Sequence, residues 1–259
     1  MTEQTQITTA FIVAMPREVK PLLEQCERLA VDDFMSVQEP ANTLRHPQSV
    51  YRWKSSVVVC SGPGYKNAAS AARQAIDRFA PEMVVSIGFA GALAPEIKVG
   101  EVFVPRHIVS ERTASAFTSP RGRGSLVTAD TVVGAERKRV LFTRFQAQAV
   151  DMEAAAVAAV AAAHDCEFLA LKVISDELDT RIDFVEPFIR PEGFRLGAFV
   201  AHLLLRPWLW PTVYRLYRDS CRAAENLSRA VRVFVIQGRG ALEDLYAPGR
   251  VLEAELEGS

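Results

Sequence analysis

The 259-residue sequence lacks the features that mark several common protein classes. Its 30 Lys and Arg residues are balanced by 31 Asp and Glu residues, so the basic excess of a dedicated nucleic-acid binder is missing. It contains no run of about 18 apolar residues, which argues against a membrane-spanning helix. The N-terminus carries Glu3 and no basic stretch before its first apolar run, which argues against a signal peptide. A cytoplasmic protein is therefore expected.

Motifs for bound metals and cofactors are also scarce. None of the four cysteines forms a CxxC or Cys/His pair with zinc-ligand spacing, and the four histidines form no HExxH or other cluster. GxSxG is absent, the turn Gly62-Pro63-Gly64 does not complete GxGxxG, and no Walker lysine follows it. These glycines allow either a tight strand-to-helix turn or a close approach to a ligand. The sequence predicts neither a metal nor a cofactor.

What the sequence does contain is an alternation of short apolar runs with helical patterns. We predict strands over residues 10–15, 56–60, 83–88, 101–105, 125–128 and 168–174, and helices over 18–29, 67–79 and 154–163. Several strands are apolar throughout, which is typical of a sheet covered by helices on both faces, and this indicates an α/β fold. Ligands of such sheets bind beyond the carboxyl ends of the strands, so the polar residues there are candidates for function.

The composition changes near residue 190. We predict a catalytic domain over residues 7–190, an apolar and amphipathic helical extension over 191–236, and a flexible tail over 237–259. Within the extension, residues 212–236 have helical periodicity, with apolar side chains on one face and five arginines on the other. Such a helix either packs its apolar face on the core or on a partner, or lies on an anionic membrane surface.

Three carboxylates stand out by their position. Glu18 follows the first strand, Glu153 opens an alanine-rich helix, and Asp176 follows a buried strand. Each is also explained by helix capping or by the helix dipole. Together, around one sheet edge, they suit a reaction through an oxocarbenium-like transition state. One carboxyl then protonates the leaving group, one orients water, and one binds sugar hydroxyls.

Four segments carry a resemblance to a known family. They are AMPREV at 14–19, SGPGYKNAA at 61–69, GFAGAL at 88–93 with KVGE at 98–101, and VDMEA at 150–154 with ISD at 174–176. In this order they resemble the nucleoside phosphorylase and nucleosidase superfamily, on the methylthioadenosine/S-adenosylhomocysteine nucleosidase branch. The resemblance implies a three-layer αβα sandwich with a twisted, partly closed mixed sheet, and it implies cleavage of an N-glycosidic bond.

The resemblance also assigns roles to residues. It implies that Asp176 protonates the purine at N7, that Ser175 orients this acid, and that Glu18 activates the attacking water. Met152 and Glu153 would form the ribose floor, with Glu153 accepting hydrogen bonds from the 2′- and 3′-hydroxyls.

The sequence departs from the family pattern at several positions. Phe89, beside Ala90, replaces a small polar residue. Val132, beside Val133, stands where an aromatic side chain stacks on the base, and Asp151 replaces a glutamate. We include Phe89, Ala90, Val133 and Asp151 in the substrate-binding set. The segments that carry phosphate-binding arginines in the phosphorylases lack that pattern here, which favours hydrolysis over phosphorolysis.

The segment RPWLWP at 206–211 and the helix after it resemble the C-terminal part of hopanoid-associated members, which are thought to remove adenine from adenosylhopane. This predicts a lipid-linked nucleoside substrate and a peripheral contact with the inner face of the membrane. The alternatives are a methylthioadenosine/S-adenosylhomocysteine nucleosidase, a futalosine hydrolase, or an inactive nucleoside-binding or membrane-associated scaffold. Because members of the superfamily commonly assemble with copies of themselves, a homo-oligomer is expected.

Overall fold

The structure is a computed structural model that describes residues 6–30, 47–180, 184, 188–190, 193–195, 202, 205–238 and 240. Its strands are β1 (Thr9–Val13), β2 (Glu27–Leu29), β3 (Ser49–Trp53), β4 (Ser56–Cys60), β5 (Met83–Ala92), β6 (Val102–Phe103), β7 (His107–Ser110), β8 (Ala116–Thr118), β9 (Ser125–Thr128), β10 (Ala149–Asp151), β11 (Glu167–Asp176), β12 (Ile189–Arg190) and β13 (Gly193–Phe194). Its α-helices are α1 (Lys20–Leu23), α2 (Tyr65–Phe79), α3 (Ala135–Phe145), α4 (Ala154–Ala163) and α5 (Trp210–Gln237), with 3-10 turns at Pro16–Val19 and Pro207–Leu209.

Strands β1 to β11 form one mixed sheet that branches at β5. The main path runs β2-β3-β4-β1-β5-β10-β9-β7-β8, and β11 pairs with both β5 and β6. Strand β5 runs parallel to β1 and β11, whereas its last residues, Gly91 and Ala92, pair antiparallel with Val150 and Ala149 of β10. The second half of β5 therefore lies next to the ends of β1, β10 and β11.

The sheet is covered on both faces, which confirms the predicted three-layer αβα sandwich. Helices α2 and α4 pack on one face against residues of β1, β4, β5 and β11. The turn at Pro16–Val19, helix α1 and helix α5 pack on the other face of the same strands. All five residues of β4 are buried, as its unbroken apolar sequence predicts.

One predicted helix is much shorter than expected. The structure replaces the helix predicted over 18–29 with the turn Pro16–Val19, helix α1 and strand β2, which pairs antiparallel with β3. Pro21 has no backbone N–H and crowds the preceding turn, so one continuous helix through it is unfavourable. The charged helix α3 and the short strand β10 have no counterpart among the predicted elements.

Helix α5 divides into two halves with different surroundings. Residues of its second half are buried on the sheet, and Phe234 packs edge-to-face on Phe11 of β1 with 5.8 Å between ring centroids. The first half and the residues before it expose large apolar side chains, namely Leu205, Trp208, Trp210, Tyr214 and Tyr217. Most of the tail predicted over 237–259 lies outside the described residues. Among the residues that the structure describes, no helix is long and apolar enough to cross a membrane.

Candidate active site

The candidate site surrounds the second half of β5, where two glycines leave room for its side chains. Gly88 has φ of +144°, and a Cβ atom there would lie 3.2 Å from Glu18 Oε2 and 3.8 Å from Lys172 Nζ. A Cβ atom on Gly91 would lie 3.0 Å from Asp176 Oδ2. Carboxylates that follow different strands thus approach one stretch of backbone that only glycine leaves open.

Glu18 lies on the 3-10 turn directly after β1 and is only 5% exposed. The backbone N–H of Met15 donates to its Oε2 at 3.3 Å. Burial and the nearby Glu153 carboxylate raise the pKa of Glu18 from 4.5 to about 7, while Lys172 and Arg17 oppose the rise. A carboxyl group with this pKa is suited to accept a proton near neutral pH.

Glu153 is held by two backbone donors. The N–H of Gly64 donates to its Oε1 at 2.8 Å, and the N–H of Met152 donates to its Oε2 at 3.3 Å. Each oxygen keeps a lone pair for another donor. Burial and the charge of Asp151 raise the pKa of Glu153 to about 7. Gly64 has a φ of +94°, which glycine adopts readily in a tight turn, and its own N–H orients the Glu153 carboxylate.

Lys172 links these carboxylates and is absent from the predicted site. It projects from the middle of β11, is 1% exposed, and lies with its Nζ 2.9 Å from Asp151 Oδ2 while donating to Ser86 Oγ at 3.0 Å. The signal in the sequence was the single lysine inside the apolar run FLALKVI. A buried lysine needs an ionic partner, so such a position points to a carboxylate nearby.

The structure gives Asp151 a supporting position. Its Oδ1 accepts a hydrogen bond from the Thr128 hydroxyl at 2.6 Å, and its Oδ2 accepts one from the Ala154 N–H at 2.8 Å in addition to the contact with Lys172. Asp151 thus caps α4 and pairs with a buried cation. Both of its oxygens are engaged within the protein, which leaves little capacity for the substrate contact predicted from the sequence.

Asp176 ends β11 next to an irregularity in the sheet. The pairing of β11 with β5 shifts register between Ile174 and Asp176, so Ser175 is an extra residue that changes the direction of the strand end. The Ser175 hydroxyl donates to Asp176 Oδ1 at 2.7 Å, in the arrangement predicted for an oriented acid. Asp176 is 8% exposed.

Lys138 is a second lysine that the sequence analysis missed. It is fully buried on α3, its Nζ forms a short ion pair with Asp176 Oδ2, and it donates to the carbonyl oxygen of Glu177 at 2.7 Å. Its neighbours Arg137 and Arg139 are exposed. No local sequence signal separates Lys138 from these arginines, because only the rotation of α3 decides which side chain points inward.

The remaining predicted residues lie at different depths. Met152 and Phe89 are partly buried, whereas Ala90 is buried, and its carbonyl oxygen lies 3.4 Å from the Ser175 hydroxyl oxygen. Val133 is 4% exposed and packs in an apolar cluster with residues of β9, β10 and α3. Its neighbour Val132 is the more accessible of the pair.

The site offers carboxylates, two buried ammonium groups and backbone amides. Within the described residues, no group of three or more His, Cys, Asp or Glu side chains is arranged to hold a metal ion. The arrangement supplies proton donors, proton acceptors and acceptors for sugar hydroxyls, which is the chemistry of acid–base cleavage of a glycosidic bond.

Comparison with known proteins agrees with this chemistry. The family model of the Phosphorylase superfamily matches residues 8–122 and 111–204. A 5′-methylthioadenosine/S-adenosylhomocysteine nucleosidase from Staphylococcus epidermidis is 26% identical over 207 residues, which cover 67% of this chain and 88% of the relative. An aminodeoxyfutalosine nucleosidase from Campylobacter jejuni is 24% identical over 208 residues, which cover 68% of this chain and 88% of the relative.

Solved structures have the same fold. A 5′-methylthioadenosine nucleosidase from Arabidopsis thaliana matches with a TM-score of 0.66 at 18% identity, covering 90% of this chain and 98% of its own. A 5′-methylthioadenosine/S-adenosylhomocysteine nucleosidase from Neisseria meningitidis, in complex with methylthio-immucillin-A, matches with a TM-score of 0.64 at 20% identity, covering 89% and 99% of the two chains. Because these matches cover 90% and 89% of this chain, the similarity of fold extends beyond residue 190. The family match and the nucleosidase relatives identify the chain as an enzyme: it belongs to the Phosphorylase superfamily.

Proposed function

We propose that the protein hydrolyses the N-glycosidic bond of an adenine-type nucleoside and releases the base through an oxocarbenium-like transition state. The observation that carries this proposal is the approach of Glu18 and Asp176 to Gly88 and Gly91 of β5, with Glu153 near enough to Glu18 for its charge to raise the pKa of that carboxyl group. The nucleosidase relatives support the same reaction class.

In this mechanism each carboxyl group has one task. Asp176 gives a proton to the purine N7 as the bond between C1′ and N9 breaks and its electron pair moves into the base. Glu18 takes a proton from the water that attacks C1′, for which a pKa of about 7 is suitable. Glu153 accepts hydrogen bonds from the ribose hydroxyls through the lone pairs that Gly64 and Met152 leave free. Negative charge beneath the sugar stabilises the developing cation.

Water is a better acceptor than phosphate for the ribosyl group at this site. A phosphate dianion needs several cationic donors that converge on it. Here the ammonium of Lys172 is already bound to Asp151 and Ser86, and the charge of the nearby Glu153 carboxylate contributes to the raised pKa of Glu18. A second anion beside Glu18 would add to that repulsion, so hydrolysis is the favoured reaction.

Adenine release by the purified protein tests the proposal. The substrates are methylthioadenosine, S-adenosylhomocysteine, futalosine and a 5′-hopanyl or long 5′-alkyl adenosine, each with and without phosphate. Asp176→Asn should lower turnover by about 10²–10⁴-fold with the fold intact. Asp179→Asn is the matched control, because Asp179 lies three residues away and forms an exposed ion pair with Arg139. Equal activity of Asp176→Asn and the wild type, or turnover only with phosphate, would contradict the proposal.

For the 5′ substituent we favour a lipid, with adenosylhopane in hopanoid biosynthesis as the substrate. An enzyme that acts on a triterpenoid has to meet it at a membrane or in an apolar groove, because such a tail leaves water. The aromatic surface (Leu205, Trp208, Trp210, Tyr214 and Tyr217) supports this choice, together with the exposed Arg215, Arg218 and Arg222 on the same helix. Aromatic side chains beside arginines suit the headgroup region of an anionic membrane.

The enzyme in this proposal is a cytoplasmic homo-oligomer that contacts the inner face of the membrane. Sedimentation with vesicles of anionic phospholipid tests the contact. A Trp208→Ser/Tyr214→Ser double variant should lose most of the binding, and high salt should weaken it. Ile236→Ser removes an exposed apolar side chain at the other end of α5 and should bind like the wild type. Equal binding of all three proteins would contradict the membrane contact. Faster turnover of methylthioadenosine, S-adenosylhomocysteine or futalosine than of the lipidic nucleoside would favour the corresponding soluble substrate.

A further inference from the structure

The environment of Lys138 points to a task beyond packing. Three successive cations occupy α3 at positions 137 to 139. Arg137 pairs with Glu111 at 2.7 Å and Arg139 pairs with Asp179, both at exposed positions, whereas Lys138 turns inward and is 0% exposed. Its ammonium contacts the carboxyl group that the proposed function uses as the acid.

This contact has an energetic cost that stability alone does not explain. Burying an ammonium and a carboxylate is strongly unfavourable before their attraction is counted, and an apolar pair of similar volume is often as stable. Gly91 leaves room for the pair, since a Cβ atom there would lie 3.1 Å from Lys138 Cε and 3.0 Å from Asp176 Oδ2. An ion pair at this cost, formed by the carboxyl group that the proposed function uses as the acid, is a candidate for function.

The pair also raises a chemical problem for a lone acid. In the structure both oxygens of Asp176 accept hydrogen bonds, Oδ2 from the Lys138 ammonium and Oδ1 from the Ser175 hydroxyl, yet the acid of the proposed reaction has to deliver a proton. The two residues resolve this problem if the proton is stored on the lysine. Lys138 and Asp176 together then hold one transferable proton, and Ser175 keeps the carboxyl group in place through Oδ1.

We propose that Lys138 is the proton source for Asp176 during cleavage, an inference that rests on the proposed function. As the bond between C1′ and N9 lengthens, an N–H bond of the ammonium breaks and an O–H bond forms at Asp176 Oδ2. That proton passes from the carboxyl group to N7, so adenine leaves as the neutral base. The attacking water loses its proton to Glu18, and transfer of this proton through solvent returns Lys138 to the ammonium form.

The test separates protonation of the leaving group from every other role of Lys138. Lys138→Met keeps an unbranched side chain of similar volume and removes the ammonium group with its proton. With an adenine nucleoside its kcat should fall by about 10²–10⁴-fold with a small change in KM. With an N7-methylated adenine nucleoside, whose base leaves without a proton, the rate should stay within a fewfold of the wild type. Lys138→Arg keeps the positive charge but has a guanidinium that does not release a proton, so it should lose activity with the adenine nucleoside as Lys138→Met does. Arg139→Met, one position along α3, should match the wild type.

Several outcomes would overturn the inference. An equal loss of kcat in Lys138→Met with both substrates would indicate a structural role. No loss of kcat with either substrate would contradict the inference directly. The wild type provides a check that does not depend on a variant that folds. Its kcat should fall at alkaline pH with the adenine nucleoside but not with the N7-methylated one. A fall of kcat at alkaline pH with both substrates would contradict proton transfer from Lys138 to Asp176. A wild-type enzyme that releases no adenine would contradict the proposed function itself.

Discussion

Lys172 Nζ lies 2.9 Å from Asp151 Oδ2 in a part of the core where neither side chain is more than 1% exposed. The pair joins β11 to the end of β10, and Asp151 in turn caps α4 through the Ala154 N–H. The same ammonium lowers the pKa values of Glu18 and Glu153, which burial raises. One buried cation therefore holds the carboxylates of the site together and limits their protonation.

This role makes Lys172 sensitive to the loss of its charge. We expect Lys172→Met to destabilise the protein by about 3–5 kcal/mol, because removing one partner leaves Asp151 buried and unpaired. Lys172→Arg should fold and keep measurable activity, because the guanidinium still reaches a carboxylate. Urea unfolding of both variants measures the difference. Unfolding of Lys172→Met at the wild-type midpoint would show that the pair contributes nothing to stability.

The pKa of Glu18 predicts the acid side of the pH–rate profile. In the proposed mechanism Glu18 is the base, so kcat/KM should fall as the pH drops below about 7, rather than below the ordinary value of 4.5. Glu18→Ala should have a low rate with no fall between pH 5 and 8. Azide, a nucleophile that needs no base, should partly restore it by forming the ribosyl azide. A wild-type rate that is flat from pH 5 to 8 would remove Glu18 from this role.

The same raised pKa carries a cost in stability. A carboxyl group whose pKa rises on folding stabilises the folded state fully only below its unfolded pKa of 4.5, and that contribution is lost as the pH rises through 7. Glu18→Gln should therefore be more stable than the wild type at pH 8, by at most about 3 kcal/mol, and equally stable near pH 4.5. Thermal unfolding at both pH values measures this. Glu24→Gln, at an exposed carboxylate of the same segment, should give no such gain.

The sequence predicted those parts of the molecule that have a local signal. Unbroken apolar runs indicated buried strands. Glu18 and Asp176 were found because each follows a predicted strand, and Glu153 was found because it opens an alanine-rich helix. The approach of Glu18 and Asp176 to β5 follows from the parallel pairing of β1 and β11 with β5, which brings strand ends to one edge of the sheet, whereas Glu153 follows β10, which pairs antiparallel with β5. The structure confirms the fold class on these grounds.

What the sequence missed depends on contacts between distant segments. The signal of Lys172 was local, one lysine in an apolar strand, but its partner Asp151 lies on another strand. Lys138 had no local signal, since its helix neighbours are also cations. The end of the helix predicted over 18–29 was misjudged because strand pairing of Glu27–Leu29 with β3 outweighs a helical pattern already interrupted by Pro21.

Helix α5 gives the sharpest test of where the folded unit ends. Its second half buries Ala223, Leu227, Ala230, Val231 and Phe234 on the sheet. Phe234→Ala alone should cost about 3–5 kcal/mol, which is a large part of the stability of an ordinary domain. A chain that ends at residue 191 loses every one of these contacts and exposes one face of the sheet, so we expect it to aggregate.

A chain that ends at residue 240 is the control for this truncation, because it keeps α5 and should retain turnover of short adenine nucleosides. Solubility, circular dichroism and adenine release compare the two chains. An active, soluble chain that ends at residue 191 would instead mean that residues 7–190 fold alone. The helix would then serve the lipid substrate only, and the aromatic surface at its start would be the part of the chain to examine for hopanyl binding.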